Sequence, residues 1–460
     1  MSRLAPLHST ARRAAHGGWI AFFLAFSAHV QALPAFARQT GQSCVACHAG
    51  GQFPELTPYG RMFKLTGYTT GTRGIPLSVM GIVSETKAKQ NHDAMGAPIA
   101  PNDSNVIADG ASLFIAGKVT ERVGLFSQFT YLASDPGTGK GHFGSDNFDL
   151  RYADRFVTPA RDIVWGVTLH NNPGMQDVWN SSTVWGYPYI GSSQGAFGGA
   201  PYAPVLEGAL AQQAAGVTAY AYFNQHFYVE AGAYKTADGM FSFLSIGNKS
   251  GSQNYPQTFL DGYAPYFRLA YTQEWGAHNV MVGVTGLDVL LVPLDSLSHR
   301  PLYGVGTTDN RDIGFDVQYQ YLLAPHTLTA AFRIINEAIN DKSGQAGYAG
   351  PLVLNSLMAK VSYVYRARYG VSAAVRHVSG SRDPAYAVGD GTNAYTMSAL
   401  GSPDTTVWTP ELFWLPMENI RVGFQYNFFT KYLGASSNYD GNGRNASDNN
   451  AAFLYFWVAF

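Results

Sequence analysis

The sequence predicts an all-β protein, an outer-membrane antiparallel β-barrel of about 16 strands with a small N-terminal α-helical segment. Composition is the first observation behind this prediction. Of 460 residues, 13% are charged, 14% are aromatic and 50 are glycine, whereas a soluble domain carries about 25% charged residues. Mean hydropathy is −0.08, and the absence of long apolar runs excludes a bundle of membrane-spanning helices. The formal net charge of −1 excludes a nucleic-acid binder.

Strict alternation of apolar and polar residues is the second observation. From Ile420 to Phe428 every even-numbered residue is apolar or aromatic, and every odd-numbered residue is polar or glycine. The segment from Ile313 to Tyr321 alternates in the same way. A period of two is the period of a β-strand. Faces rich in Tyr and Phe are typical of the aromatic girdles of membrane barrels.

Connection length is the third observation. Short turns near Thr120, Asn224 and Ala324 alternate with long loops rich in Gly, Asn, Ser and Asp, the longest over 171–212. In outer-membrane barrels the short turns face the periplasm and the long loops face outside, so both ends of the barrel chain are expected on the periplasmic side. The predicted strands are 75–87, 109–119, 122–133, 147–157, 161–170, 213–222, 226–236, 262–273, 276–288, 311–321, 325–337, 352–366, 369–380, 395–413, 418–430 and 450–460.

The chain divides into three predicted parts. Residues 1–32 read as a secretory signal peptide, with arginines before an uncharged stretch and small residues before a cleavage site after Ala32. Residues 33–74 are a cytochrome-like segment, and residues 75–460 are the porin-like barrel.

Cys44-Val45-Ala46-Cys47-His48 is the motif that carries chemistry. Two thiols two residues apart, followed by His, form the attachment site of a c-type haem, in which His48 is an axial iron ligand. A thioredoxin-like redox pair or half of a zinc site would need a βαβ pattern or a second cysteine pair. Cys44 and Cys47 are the only cysteines of the chain, which favours one covalently attached haem c.

The second axial ligand is less well defined by the sequence. Met62 is the first candidate, and Met80, His92 and Met95 are weaker ones. A methionine on an apolar face is more often a packing residue, and an open or water-bound iron position is the remaining alternative.

The segment 33–74 is too short to enclose a porphyrin alone. The lumen of a 16-stranded barrel is wide enough to hold it as a plug. Thr57 is an N-cap candidate, Pro58 fits the first helical position and Gly67 can end the helix. We therefore expect a helix over about 58–66 whose apolar face, which includes Met62 and Phe63, contacts the haem or the barrel wall.

Six basic side chains are expected to point into the lumen by the strand alternation. They would either pair with the two haem propionates or form a solvated pore wall, as inward polar residues do in porins. The six are Arg151, Arg268, Arg333, Lys360, Arg376 and Arg421.

The N-terminal segment resembles the monohaem cytochrome-porin fusions of the bacterial outer membrane, whose best-known members are iron-oxidising outer-membrane cytochromes. The resemblance covers Leu33–Gly41, Cys44–His48, Phe53–Lys64 and Gly67-Tyr68. In the barrel it is limited to architecture and to the segments Asn171–Asn180 and Trp185–Pro188.

The resemblance implies electron transfer from an extracellular donor, such as Fe(II), through one haem c to a periplasmic cytochrome or other electron carrier. The corresponding enzyme activity would be an Fe(II):cytochrome c oxidoreductase located in the cell outer membrane. Two alternatives remain, a passive diffusion porin with a structural or sensing haem and a haem peroxidase-like enzyme. No Ser/His/Asp arrangement, phosphate loop or zinc motif stands out in the sequence.

Overall fold

The structure is a computed structural model, and it describes ten ranges of the chain. The predicted signal peptide 1–32, Phe53 and Trp185–Pro188 lie outside the described residues. The described ranges are 34–51, 54–93, 95–132, 142–181, 189–194, 199–245, 258–295, 300–344, 351–388 and 396–460.

Sixteen antiparallel strands form one closed barrel, because the first strand also pairs with the last. The closing pair places Met80 opposite Ala459 and Ala88 opposite Ala451. Closure leaves no free sheet edge. The strands are β1 Leu77–Ala88, β2 Val106–Lys118, β3 Val123–Leu132, β4 His142–Thr158, β5 Arg161–His170, β6 Ala214–Phe223, β7 Phe227–Thr236, β8 Ala264–Trp275, β9 His278–Leu291, β10 Thr308–Leu323, β11 His326–Asp341, β12 Leu352–Tyr365, β13 Tyr369–Gly380, β14 Thr405–Met417, β15 Ile420–Lys431 and β16 Ala451–Ala459.

The predicted fold class is confirmed, and each predicted strand overlaps an observed one. One prediction was wrong in extent: β14 begins at Thr405 and not at 395. The preceding residues take turn hydrogen bonds instead, since the Ser398 hydroxyl accepts from the Ser402 N–H at 2.9 Å. Pro403 also lacks the N–H that a ladder requires.

The exterior of the barrel is apolar and the interior is polar. On β15 and β16, Phe424 and Leu454 face each other across the ladder and are 46% and 48% exposed. Their neighbours Arg421, Gln425 and Tyr455 are buried on the lumen side. An apolar outer face with a polar inner face is what a lipid environment requires of a barrel.

The two ends of the barrel differ. Connections of two to four residues join the even-numbered strands to the following strands at one end, from β2–β3 to β14–β15. We call this the turn end, and it also holds the start of β1 and the end of β16. The long connections lie at the opposite end, which we call the loop end. This alternation matches the prediction.

The connection between β5 and β6 was wrongly predicted to be an external loop. Residues 171–180 are buried and contact inward side chains of distant strands. The Gln318 amide donates to the Trp179 carbonyl at 3.1 Å, and the Leu206 N–H donates to Asp312 at 2.5 Å. The described parts of the connection therefore fold into the lumen, and we call residues 171–181, 189–194 and 199–213 the inner loop.

Three short helices precede the barrel and lie inside it: α1 Pro34–Thr40, α2 Cys44–Cys47 and α3 Pro58–Leu65. They bond to strands on several sides of the barrel. The Ala35 N–H donates to Ser78 of β1 at 3.0 Å, and Tyr220 of β6 donates to the Leu65 carbonyl at 2.5 Å. No helix among the described residues is long and apolar enough to cross a bilayer.

The predicted helix after Thr57 is present as α3. The Thr57 hydroxyl accepts from the Gly60 N–H at 3.2 Å, as an N-cap does. Gly67, with φ of +69°, lies just beyond the helix end, as the sequence indicated.

Candidate functional site

The cysteine motif forms one helical turn followed by an extended residue. Cys44 and Cys47 are the first and last residues of α2, so their side chains lie on one face. His48 is extended, with φ of −117° and ψ of 131°, and its N–H donates to the Cys44 carbonyl at 2.8 Å. Neither cysteine forms a disulfide.

The close approach of α3 to α2 fixes this turn. The Thr57 N–H donates to the Cys47 carbonyl at 2.9 Å, and the Thr57 hydroxyl donates to the Ala46 carbonyl at 2.5 Å. Gly60 packs so tightly that a Cβ on it would lie 2.2 Å from the Cys47 oxygen. Glycine is therefore required at this crossing.

A cavity of about 420 Å³ adjoins the motif and separates it from part of the barrel wall. This volume is within the range of ordinary ligand pockets. Its walls come from the N-terminal segment, from strands β1 to β4 and β16, and from the inner loop. The lining includes Cys44, Cys47, His48, Phe63, Tyr68, Met80, Phe114, Phe126, Met175, Tyr189, Ile190 and Trp457.

His48 is held as a neutral imidazole. Burial disfavours the charged ring and lowers the pKa of His48 to about 4, although Glu55 acts in the opposite direction. Its Nδ1 is buried without a hydrogen-bond partner in the described part of the chain. Burial also raises the pKa of the Cys47 thiol to about 11. Two adjacent thiols and a neutral histidine at an apolar cavity form the donor set that a c-type haem uses, so these residues fit that group.

Met62 does not line this cavity. It packs against the buried cluster that contains Leu65 and Trp179. Two other methionines lie in the cavity wall, Met80 of β1 and Met175 of the inner loop, which is 2% exposed. Met80 was a weaker candidate from sequence, whereas Met175 was missed because its role depends on the loop folding inward.

The remaining candidate ligands from sequence are remote from the cavity lining. His92 forms an isolated bridge with Pro98 in the connection after β1. Met95, in the same connection, is 81% exposed.

Ionic and polar bonds anchor the N-terminal segment to the barrel. Arg61 of α3 pairs with Glu274 at 3.4 Å, and Glu55 pairs with Lys360 of β12. Lys64 donates to the Asp177 carbonyl at 2.7 Å. Burial, together with the nearby charge of Arg151, lowers the pKa of Lys64 to about 8.

The six inward basic residues point into the lumen, as the alternation predicted. Each is paired with a protein carboxylate, a partner that the sequence did not indicate, and pairing with haem propionates stays a prediction. Arg268 binds Asp316 at 2.9 Å and Asp177 of the inner loop at 3.2 Å. Glu207 of the inner loop pairs with Arg333 at 2.6 Å and with Arg376 at 3.2 Å. The other pairs are Arg151–Asp149, Lys360–Glu55 and Arg421–Glu411.

These features define a class of protein: an outer-membrane-type β-barrel whose lumen holds its own helical N-terminal segment and an inward-folded loop. No protein-family model matches the chain, and no curated protein sequence matches it.

Solved structures of outer-membrane proteins are similar in shape at low identity. OmpT of Vibrio cholerae is 12% identical, with a TM-score of 0.44, over 84% of this chain and 96% of that chain. The channel DcaP of Acinetobacter baumannii is 9% identical, with a TM-score of 0.45, over 84% and 96%. An anion-selective porin from Comamonas acidovorans is 13% identical, with a TM-score of 0.42, over 84% and 99%. TM-scores below 0.5 carry no functional argument, and the fold class rests on the strand topology.

Proposed function

We propose that the protein is an outer-membrane electron conduit, a cytochrome-porin fusion with one haem c covalently attached through Cys44 and Cys47. It would take electrons from an extracellular donor, Fe(II) among them, and deliver them to a periplasmic carrier. The observation that carries this proposal is the place of the motif: Cys44, Cys47 and His48 line one cavity in the lumen of a closed barrel. The resemblance of residues 33–68 to monohaem cytochrome-porin fusions supports the same function.

The residues of the chain would have separate roles. Cys44 and Cys47 would hold the porphyrin through thioether bonds, and His48 would supply one nitrogen ligand to the iron. Met80 and Met175 are the methionines that line the cavity, and either would be a candidate second ligand of the iron. When bound, the haem supplies a one-electron carrier whose potential depends on that second ligand and on burial.

The barrel would keep this carrier away from lipid and bulk water. Phe114, Phe126 and Trp457 form apolar parts of the cavity wall, and the strands that carry them belong to the closed barrel. For each electron transferred, one Fe(II) becomes Fe(III) on the donor side, and one oxidised periplasmic carrier is reduced on the other side. No proton transfer by the protein is required.

The test is the haem absorption spectrum of the purified full-length protein in lipid vesicles, before and after Fe(II) is added outside. We expect conversion from the oxidised to the reduced spectrum. The Cys44→Ala/Cys47→Ala variant is the matched control, which should form the barrel and lack covalent haem. A haem that stays oxidised with Fe(II) and with other external donors contradicts the proposal.

Two further measurements separate the alternative functions. Rapid solute flux through the vesicles without haem reduction would support a diffusion porin. Binding of cyanide or turnover of peroxide without a periplasmic partner would support a peroxidase-like enzyme. The conduit predicts slow solute flux, because the lumen holds the N-terminal segment and the inner loop, and it predicts electron delivery to a periplasmic partner in place of peroxide turnover.

A further inference from the structure

The cysteine motif reaches the protein surface at the turn end of the barrel. Val45, between the two cysteines, is 44% exposed. A Cβ on Gly51 would lie 3.1 Å from Val45 and 3.6 Å from Ala367, which belongs to the turn between β12 and β13. The Cys44 N–H donates to Glu418, in the turn between β14 and β15, at 3.1 Å. The motif therefore lies beside two turns of the kind that faces the periplasm in outer-membrane barrels.

Exposed arginines without an acidic partner lie on both sides of the motif. Arg38 of α1 and Arg73 belong to the N-terminal segment, and Arg368 belongs to the turn between β12 and β13. Arg38 donates to the Ile75 carbonyl at 3.2 Å, and Arg73 donates to the Val119 carbonyl at 2.6 Å. These acceptors are neutral, and no ion pair to any of the three arginines is present in the described part of the chain.

Other basic side chains of the turn end have acidic partners or face lipid. Arg161 lies on the same face of β5 as the exposed Trp165. Arg366 lies 5.2 Å from the ring centre of Tyr365, which the alternation of β12 places on the outer face. The ion pairs at this end are Lys118–Glu121 at 2.6 Å, Arg122–Asp154 at 3.3 Å and Arg155–Asp162 at 2.6 Å.

The surface around the motif thus carries a positive charge. Among the described residues, Glu418 is the one side-chain carboxylate of the turn end outside an ion pair. Its single negative charge stands against the three positive charges of Arg38, Arg73 and Arg368. Such a field attracts and orients a partner of opposite charge.

The arginines are also spaced for a protein partner. Arg38 and Arg73 lie near the start of β1 and Arg368 near the start of β13, four strands apart in the barrel order. At about 4.8 Å per strand the two groups are separated by about 20 Å, a span that an interface of about 800 Å² per partner covers. Ala35 and Ala37 of α1 are 2% and 8% exposed, so α1 packs its other side in the lumen and presents Arg38 at the mouth.

We propose that Arg38, Arg73 and Arg368 form a docking surface for the acidic face of a periplasmic one-electron carrier protein. The proposal rests on the proposed function, in which such a carrier receives electrons at the turn end. Complementary charge speeds encounter and fixes orientation more than it adds affinity. Because the arginines lie on both sides of the exposed Val45, a docked carrier would contact the barrel mouth next to the cysteine motif.

The test is binding, measured by surface plasmon resonance, to the full-length haem-loaded protein in detergent. The probes are unmodified cytochrome c, which is basic, and cytochrome c with succinylated lysines, in which each positive lysine charge is replaced by a negative one. We expect the succinylated form to bind saturably and the unmodified form not to bind. Binding should be lost as the salt concentration approaches 1 M, where the Debye length is about 3 Å.

The Arg38→Gln/Arg73→Gln/Arg368→Gln variant should weaken binding of the succinylated probe about tenfold, because three exposed charge pairs are lost. Arg161→Gln, which removes an exposed arginine from the lipid-facing side of the same end, is the matched control and should bind as the wild type does. Glu121→Gln guards against misfolding of the triple variant. It removes the partner of Lys118, which lines a cavity with Arg73, and should bind the succinylated probe more tightly.

Equal binding of the two probes, or unchanged binding in both the triple variant and Glu121→Gln, overturns the docking surface. Loss of binding in nanodiscs of phosphatidylethanolamine would assign the arginines to lipid headgroups and overturn it as well. If the succinylated probe binds as expected and Fe(II) fails to reduce the haem, the docking surface stands and the proposed function fails. If Fe(II) reduces the haem and the succinylated probe does not bind, the function stands and the docking surface fails.

Discussion

Single residues decide whether the motif can form a haem site at all. The sequence predicted the roles of Cys44, Cys47 and His48 from spacing alone, and the structure places the three on one cavity. The packing role of Gly60 had no sequence signal, because it depends on the Cys47 carbonyl of another helix. Met175 was missed for a related reason: it reaches the cavity from a loop more than 120 residues away in the chain.

Gly60→Ala should loosen the motif. The added Cβ would lie 2.2 Å from the Cys47 oxygen, and overpacking of this kind costs about 1–3 kcal/mol. We expect faster maleimide labelling of the two thiols in protein prepared without haem. Gly74→Ala is the control, because its nearest contact would be an ordinary 3.8 Å. Equal labelling rates in the two variants would show that α3 does not pack tightly against α2 at Gly60.

Met62→Leu should leave the ligand-sensitive absorption spectrum of the haem unchanged, since Met62 packs with Leu65 and Trp179. The Met80→Leu/Met175→Leu double variant should alter that spectrum, because both side chains line the cavity. The spectra of the oxidised and reduced proteins provide the comparison. A spectral change in Met62→Leu alone would indicate that Met62 is the second axial ligand.

At the scale of elements, the alternation of apolar and polar residues predicted the strands but not the course of the inner loop. The two-residue period predicted the strands because lipid on one side imposes it on every one of them. That period says nothing about a connection. The inward course of the inner loop depends on ion pairs with distant strands, such as Asp177 with Arg268 and Glu207 with Arg333, so a Gly- and Asn-rich segment was interpreted as an external loop.

Glu207→Gln should release part of the inner loop. The substitution leaves Arg333 and Arg376 without their carboxylate, and breaking a buried pair in this way costs about 3–5 kcal/mol. We expect larger single-channel conductance in planar bilayers. Glu121→Gln controls for the loss of one negative charge. A conductance equal to that of the wild type would mean that the loop is held by its other contacts.

The anchoring of the inner loop by Glu207 should be lost when the pH is lowered and not when it is raised. Burial opposes ionisation of Glu207, but the guanidinium groups of Arg333 and Arg376 outweigh it and hold the pKa of Glu207 below its ordinary value of 4.5. A lowered pKa contributes stability that is complete above the ordinary value and is lost as the pH falls through the lowered one. We expect the part of the conductance that depends on Glu207, measured as the difference from Glu207→Gln, to change only in acid below about pH 5. An equal rise of conductance in acid in the wild type and in Glu207→Gln would contradict this anchoring.

At the scale of the whole molecule, the barrel meets two different requirements. Its wall must be apolar toward lipid, and its lumen must hold a segment too short to fold alone. Ion pairs on several sides, among them Arg61 with Glu274 and the buried pair Lys360 with Glu55, join that segment to the wall. The resulting cavity extends from the cysteine motif to Asp109 of β2 and Asp146 of β4. In the proposed function, a pore plugged in this way would connect its two ends through the haem and not through water.

The measurement that bears most directly on this arrangement is electron transfer across a sealed vesicle. Vesicles containing the full-length protein would enclose an oxidised one-electron acceptor, and Fe(II) would be added outside. We expect reduction of the enclosed acceptor in proportion to the haem content, and none with Cys44→Ala/Cys47→Ala. Reduction at the same rate with that variant, or an acceptor that stays oxidised while solutes pass freely, would contradict the conduit.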